Sequence, residues 1–352
     1  MTGSESSRDG DSFFEFLSRT ADGMRLPAYE YLYSLLDRTA TVLENEFTVY
    51  RPDYTNGGER KAGSLLDFKN EVQLPLVIVP DLHARPNFLL NLYNFQLPRD
   101  FTGGTAAVTV GAALESGKIR VVCVGDALHS ELRGFSRWMS AREEFHNSDY
   151  TGYFMSQEMA EGLSLAIIVM ESKCRWVSRF HFLKGNHENI TNREGGGDHP
   201  FCKFADEGQM VKDFMITKYG DDILYLYSCV EDALPLAAVF PQCVISHAEP
   251  LRAFSREELI SARDHAEIVH GLTWTSNGEA RDDSVMTMLK TLLGPEAARS
   301  SYYFAGHRPV TGNYALRQNG KFIQIHNPSL QNVALVYTDR IFNPDTDIHS
   351  VG

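Results

Sequence analysis

Six residues able to bind a metal ion each follow closely on a short apolar run. Asp81 and His83 come after "LPLVIVP", Asp126 after "IRVVCVG", Asn186 after "RFHFLKG", His247 after "CVIS" and His307 after "YYFAG". Singly, each has an ordinary explanation. An aspartate at a strand end is commonly a turn or N-cap residue, and a histidine among apolar neighbours is usually a hydrogen-bonded core side chain. Together they amount to three imidazoles, two carboxylates and one amide, a set that can hold two divalent ions with one aspartate bridging. Mixed nitrogen and oxygen ligation suits manganese, the first expectation, or iron or zinc, better than calcium or magnesium.

The elements that must position these residues are legible from the same pattern. From about residue 72, apolar runs ending in polar residues alternate with helical stretches. This is the pattern of an α/β fold, in which sites form at the carboxyl ends of strands, and five such ends predict ligands along one edge of a sheet. "NYALRQNGKFIQIHN" carries two strand-like runs around Asn319-Gly320, the signature of a hairpin closed by a type I′ turn. "NVALVYTD" predicts a further strand. Leu32, Leu35, Leu36, Val42 and Leu43 recur at helical spacing, whereas "YRPDYTNGGERKAGS" (50–64) reads as a loop. The expected division is a disordered tail at 1–12, an N-terminal extension at 13–70 that is helical to about residue 49, and a catalytic domain at 71–345.

Composition narrows the partners. The chain of 352 residues carries 33 basic and 46 acidic side chains, a net charge of −13. That charge repels phosphate backbones and argues against nucleic acid, while bound cations can still reverse the sign locally for one small phosphorylated substrate. "MTGSESSRDGD" has no apolar segment of a secretory signal, and the longest apolar stretch, "LSLAIIVM", is too short to span a membrane. Five dispersed cysteines without a CxxC pair read as reduced thiols. A cytoplasmic protein without a membrane partner is expected.

The motifs resemble those of the metallophosphoesterase (calcineurin-like) superfamily. "DLHARPNFLLNL" is similar to its DxHG start, "VVCVGD" to its GD element, "LKGNHEN" to GNHE, and "VISHAEP" and "FAGHRPV" to its two later histidine motifs. Within it, the PPP-type serine/threonine phosphatases are the nearer likeness. "YGDDILYLYSCVEDALPLAAVF" and "GLTWTSNG" resemble segments of that branch, and GHRP lacks the second histidine of GHxH, as that branch does. The resemblance covers about residues 75–340 and implies a β-sandwich of two mixed sheets flanked by helices. It further implies that Asp81 and His83 hold one ion, that Asp126 bridges, and that Asn186, His247 and His307 hold the other.

In that chemistry two ions about 3.5–4 Å apart share a hydroxide that attacks phosphorus in line, and nearby cations neutralise the developing charge. His187, beside Asn186, is the candidate general acid for the leaving alkoxide. Three departures bear on the mechanism. His129 stands where the family has the aspartate that orients the acid, with Glu131 as a substitute carboxylate two positions on. Ser130 stands where the family has a phosphate-gripping arginine, and Lys184 replaces the arginine before GNHE, keeping its charge but not its fork. Arg85, Arg133, Arg281 and Arg308 are the available replacements, with Arg308 first because it adjoins a ligand. The expected catalytic set is therefore His187, His129, Arg308 and Lys184. "RWMSAREEFHNSDYTGYFMSQEM" is read as an added core helix or a roof over the substrate, and "REGGGDHPF" (193–201) as a flexible loop or a lid. The first functional expectation is a protein phosphatase. A nucleotide or dinucleoside-polyphosphate hydrolase is the second, and a noncatalytic binding protein on the same fold is the third.

Overall fold

The structure is a computed structural model that describes residues 12–104 and 106–352. The expected tail therefore lies, apart from Ser12, outside the described residues. Ser12 opens α1 (Phe13–Gly23) with a capping box shared with Glu15, and α2 (Tyr29–Glu44) follows. The strands are β1 (Asp53–Asn56), β2 (Glu59–Ala62), β3 (Leu65–Asp67), β4 (Leu76–Val79), β5 (Arg120–Cys123), β6 (Phe180–Phe182), β7 (Ala237–Phe240), β8 (Cys243–Ser246), β9 (Tyr302–Ala305), β10 (Ala315–Arg317), β11 (Phe322–Gln324), β12 (Asn332–Val336) and β13 (Ile348–Ser350).

Two mixed sheets pack face to face. One runs β13-β12-β4-β5-β6, with β4, β5 and β6 parallel; the other runs β10-β11-β9-β8-β7-β3. Side-chain alternation explains why the sequence reads as continuous apolar runs rather than alternating ones. Ile78, Val122, Ile245 and Phe304 point into the layer between the sheets, while their neighbours Val77, Val121, Val244 and Tyr303 point to the helices outside. Both faces of these strands are covered, so both parities must be apolar. The outer face of the five-stranded sheet is covered by α1, α2 and the helix Tyr153–Arg175, whose Leu163 to Met170 are buried. The segment read as an added core helix or roof falls instead on two helices, Phe135–His146, which buries Trp138 and Ala141, and the first two turns of Tyr153–Arg175. Among the described residues, no helix is long and apolar enough to cross a membrane, and all five cysteines are free thiols.

Three local expectations are corrected. Residues 50–64 are not all loop: β1 and β2 form a hairpin closed by Gly57 and Gly58, both with positive φ (61° and 87°). Its polar, exposed strands carry no apolar alternation to betray them. β3, placed by the sequence in the extension, pairs with β7 as the edge strand of the six-stranded sheet. The hairpin around Asn319-Gly320 does form, but Arg317 pairs with Phe322 and four residues connect the strands, three of them with positive φ. A two-residue turn is therefore wrong there.

The end of α2 is tied to the sandwich by buried charge. Glu46 lies between Arg51, at 2.5 Å, and Lys173, with His181 Nδ1 at 3.4 Å. Burial, helped by the Lys173 ammonium and opposed by Glu46, holds the His181 imidazole down to about 4. An imidazole whose pKa is depressed on folding binds protons more readily when unfolded, so its contribution is intact above about pH 6.5 and is lost as pH falls toward 4. Between pH 6.5 and 4.5, wild-type protein should lose about 2–3 kcal/mol more stability than His181→Phe in denaturant titrations. Equal losses in the two proteins would show that His181 is not held neutral.

Candidate metal centre

The six candidate ligands meet at one end of the sandwich, and both sheets contribute. Asp81, Asp126 and Asn186 follow β4, β5 and β6, while His247 and His307 follow β8 and β9. The single sheet edge expected from sequence is thus a seam between two sheets. The backbone there is held in uncommon conformations: His83, Ala84, Asp126 and His307 all have positive φ (43°, 51°, 60° and 61°). Such residues persist only where surrounding contacts over-determine them. Here His83 N–H donates to Asp126 O at 2.7 Å and Ala84 N–H to Ala127 O at 2.9 Å, locking the first two ligand loops together. Gly185 is required by close approach, since a Cβ there would overlap the Asp126 carboxylate.

Four donor atoms form a tight cradle. Asn186 Oδ1 lies 2.8 Å from His247 Nε2 and 3.0 Å from His307 Nδ1, and the two histidine nitrogens are 3.3 Å apart. Asp126 Oδ2 is 3.5 Å from His247 Nε2. Ligands bound at about 2.0–2.2 Å to one ion stand roughly 3–3.5 Å from one another, so the spacing fits a divalent cation. His247 Nδ1 lies 3.0 Å from the Val124 carbonyl, which fixes the tautomer with Nε2 free to ligate. Beside this cradle His83 Nε2 is 3.7 Å from Asp126 Oδ2 and 3.9 Å from Asp81 Oδ2. Asp81 Oδ1 and His247 Nδ1 are 3.8 Å apart.

Electrostatics and unmet hydrogen bonds point the same way. Asp81 Oδ1, His83 Nδ1 and His307 Nε2 are buried without a hydrogen-bond partner, an arrangement that native interiors rarely leave uncompensated. Burial, with the Asp81 and Glu188 charges beside it, pushes the Asp126 carboxyl well above the ordinary range. Burial likewise holds His247 and His307 down to about 3, so the imidazoles are neutral and their lone pairs available. A cation at the cradle would offset the carboxylate desolvation while using those lone pairs.

Two participants had not been singled out from the sequence. His326 Nδ1 lies 3.5 Å from Asp81 Oδ2, its ring is 5.1 Å from that of His83, and neither of its nitrogens has a hydrogen-bond partner. Asp81, His83 and His326 together could hold an ion. The signal was present, because "FIQIH" is one more apolar run ending in a histidine. Glu188, within the GNHE motif, accepts from the backbone N–H groups of Asp126, Ala127 and Gly185 at 2.7–3.0 Å and so clamps two ligand loops.

The proposed catalytic residues divide into two groups. His187 and His129 face each other, Nδ1 to Nδ1 at 3.0 Å, and His187 Nε2 lies 3.7 Å from Asp126 Oδ2. Phe201, from the glycine-rich loop, covers both rings, at 3.8 Å from His187 and 4.9 Å from His129 between centroids. Lys184 is turned away: its ammonium donates to Glu188 O at 2.6 Å and pairs with Asp198 at 3.3 Å. Arg308 is exposed and donates to Ser276. Ser130 is tied by its N–H and hydroxyl to Glu158, which Arg137 also binds. Glu131 forms no ion pair with His187, although its charge favours the protonated ring. It pairs with Lys203 at 2.5 Å and faces His83 and His326 at 3.8 and 3.7 Å.

No family model and no curated protein matches the sequence. Among solved structures, the fold is similar to that of a protein serine/threonine phosphatase from Saccharomyces cerevisiae with similarity to human phosphatase PP5. The TM-score is 0.58 at 15% identity, over 96% of this chain and 94% of that one. A cold-active protein-tyrosine phosphatase of a psychrophilic Shewanella species matches at TM-score 0.44 and 14% identity, over 82% of each chain. The two mixed sheets, their flanking helices and the N-terminal helices are thus the fold of the yeast phosphatase.

Proposed function

We propose that this protein is a dinuclear metal-dependent phosphoester hydrolase, of the kind represented by the PPP-type protein phosphatases. The observation that carries the reading is the convergence of Asp126, Asn186, His247 and His307 into one cradle beside Asp81 and His83. Divalent ions bound there, manganese first, would supply an acidified water and neutralise phosphoryl oxygens. The chain itself does the rest. Glu188 and the backbone bonds between the His83 and Asp126 loops keep the ligands in place before substrate arrives. The His129–His187 contact requires one ring to donate and the other to accept. With His129 accepting on Nδ1, a doubly protonated His187 donates its Nδ1–H to His129 and keeps a hydrogen on Nε2, the nitrogen facing the ligand cluster. Handing that Nε2 proton to the leaving oxygen leaves His187 neutral, its Nδ1–H still donated to His129.

Elemental analysis of protein reconstituted with manganese should find close to two ions per chain, and the loaded protein should hydrolyse p-nitrophenyl phosphate. Chelation should abolish turnover and manganese should restore it. A protein that binds no transition metal, or is equally active after chelation, would overturn the proposal.

A further inference from the structure

A cleft of about 330 Å³ opens beside His83, within the range typical of small-molecule sites. Arg85, Arg133, Leu132 and Pro328 contribute to its walls. Resting on the phosphatase reading, we propose that Arg133 and Arg85 recognise the substrate phosphate there. Leu132 and Pro328 receive an apolar or aromatic organic group, so that the substrate class is a phosphomonoester of an aromatic alcohol.

The charge argument starts from Ser130. Ser130 brings no charge to the cluster, and its hydroxyl is held by Glu158 at 2.5 Å. Three residues on, Arg133 lies along the His83–Ala84 backbone, donating to Ala84 O at 2.9 Å. Its other terminal nitrogen binds Glu161, and the side chain stays 45% exposed at the cleft. Arg85 also lines the cleft. Its donors go to the carbonyls of Leu82, Asp81, Pro328 and Leu330 at 2.7–3.3 Å. Among the described residues it forms no direct ion pair with a carboxylate, and the Asp81 and Glu131 charges act on it only from farther away. The one carboxylate lining the cleft, Glu131, is taken by Lys203 at 2.5 Å. Two guanidinium groups beside a candidate metal ligand put positive charge at the cleft, and half-exposed Arg133 can exchange its surface pair with Glu161 for phosphate oxygens.

The organic side is set by apolar surface at the same mouth. Leu132, which lines the cleft, is 70% exposed, and Leu330, whose carbonyl accepts from Arg85, is 36% exposed. A ring seated against Leu132 and Pro328 removes that surface from water.

The test uses holoenzyme and two non-hydrolysable probes, methylphosphonate and phenylphosphonate, with affinities measured by calorimetry and as competitive inhibition. Arg133→Ser should weaken both probes about 10- to 100-fold, the usual loss for a hydrogen bond to a charged group, with metal content unchanged. Arg133→Lys and Arg85→Lys should show smaller losses for both. Leu132→Ser should weaken phenylphosphonate about 10-fold and leave methylphosphonate as it was. Unchanged binding in Arg133→Ser, or loss of metal along with ligand, would overturn the phosphate assignment, the latter by exposing a mere strut under His83. An unchanged phenyl-to-methyl ratio in Leu132→Ser would overturn the aromatic class. Failure of the phosphatase reading looks different: wild-type holoenzyme would hydrolyse no p-nitrophenyl phosphate and bind neither phosphonate, and both proposals would fall together.

Discussion

Asp126→Asn is expected to lose bound metal and activity together, while the metal-free protein becomes no less stable. Asp126 Oδ2 lies 3.7 Å from His83 Nε2 and 3.5 Å from His247 Nε2, so one carboxylate serves both halves of the cluster. Replacing it with an amide removes the anionic charge that two dications would share. Residues only supporting a metal ligand already cost about 10- to 100-fold in affinity when changed, so the loss here should exceed about 100-fold, with turnover falling at least as far. Stability moves the other way. Burial and the charges of Asp81 and Glu188 oppose ionisation of Asp126, and a neutral amide avoids that repulsion. Metal-free Asp126→Asn should therefore melt at or above the temperature of metal-free wild type, separating lost metal from lost fold. Two ions per chain in the variant by elemental analysis would end the bridging role.

His187→Ala should slow alkyl phosphates far more than aryl phosphates. A poor alkoxide leaving group needs a proton in the transition state, whereas p-nitrophenolate leaves without one, and general acid catalysis contributes about 10²–10⁴-fold. The loss on a phosphoserine peptide should be at least about 100-fold, and on p-nitrophenyl phosphate less than about tenfold. The partner of His187 sets how good an acid it is. Burial, with the His129 and His83 rings beside it, pushes His187 well below the usual imidazole range, and burial holds His129 itself down to about 3. A carboxylate at position 129 would favour protonated His187 instead. His129→Asp should thus raise kcat/KM for the phosphoserine peptide more than for p-nitrophenyl phosphate. Equal slowing of both substrates in His187→Ala, or no slowing, would remove His187 from the role of acid.

The sequence by itself determined the ligand types and the places where they leave the strands. That information is local: an apolar run, buried on both faces, ends where the chain turns out of the sheet, and the next residues are Asp81, Asp126, Asn186, His247 or His307. The same rule reached His326 in principle, at the end of "FIQI". The tertiary structure alone decided what depends on residues far apart in the chain. It brought β8 and β9 to the ends of β4 to β6, so that two sheets share the cluster. It turned Glu131 to Lys203 and paired His187 with His129. It buried Lys184 against Asp198 and set Arg133 and Arg85 on the cleft. Spacing constrains a side chain only within a turn or strand, whereas the partner of a charged group is set by the packing of elements far away in the chain, as Arg133 on Ala84 and Lys203 on Glu131 illustrate with separations of 49 and 72.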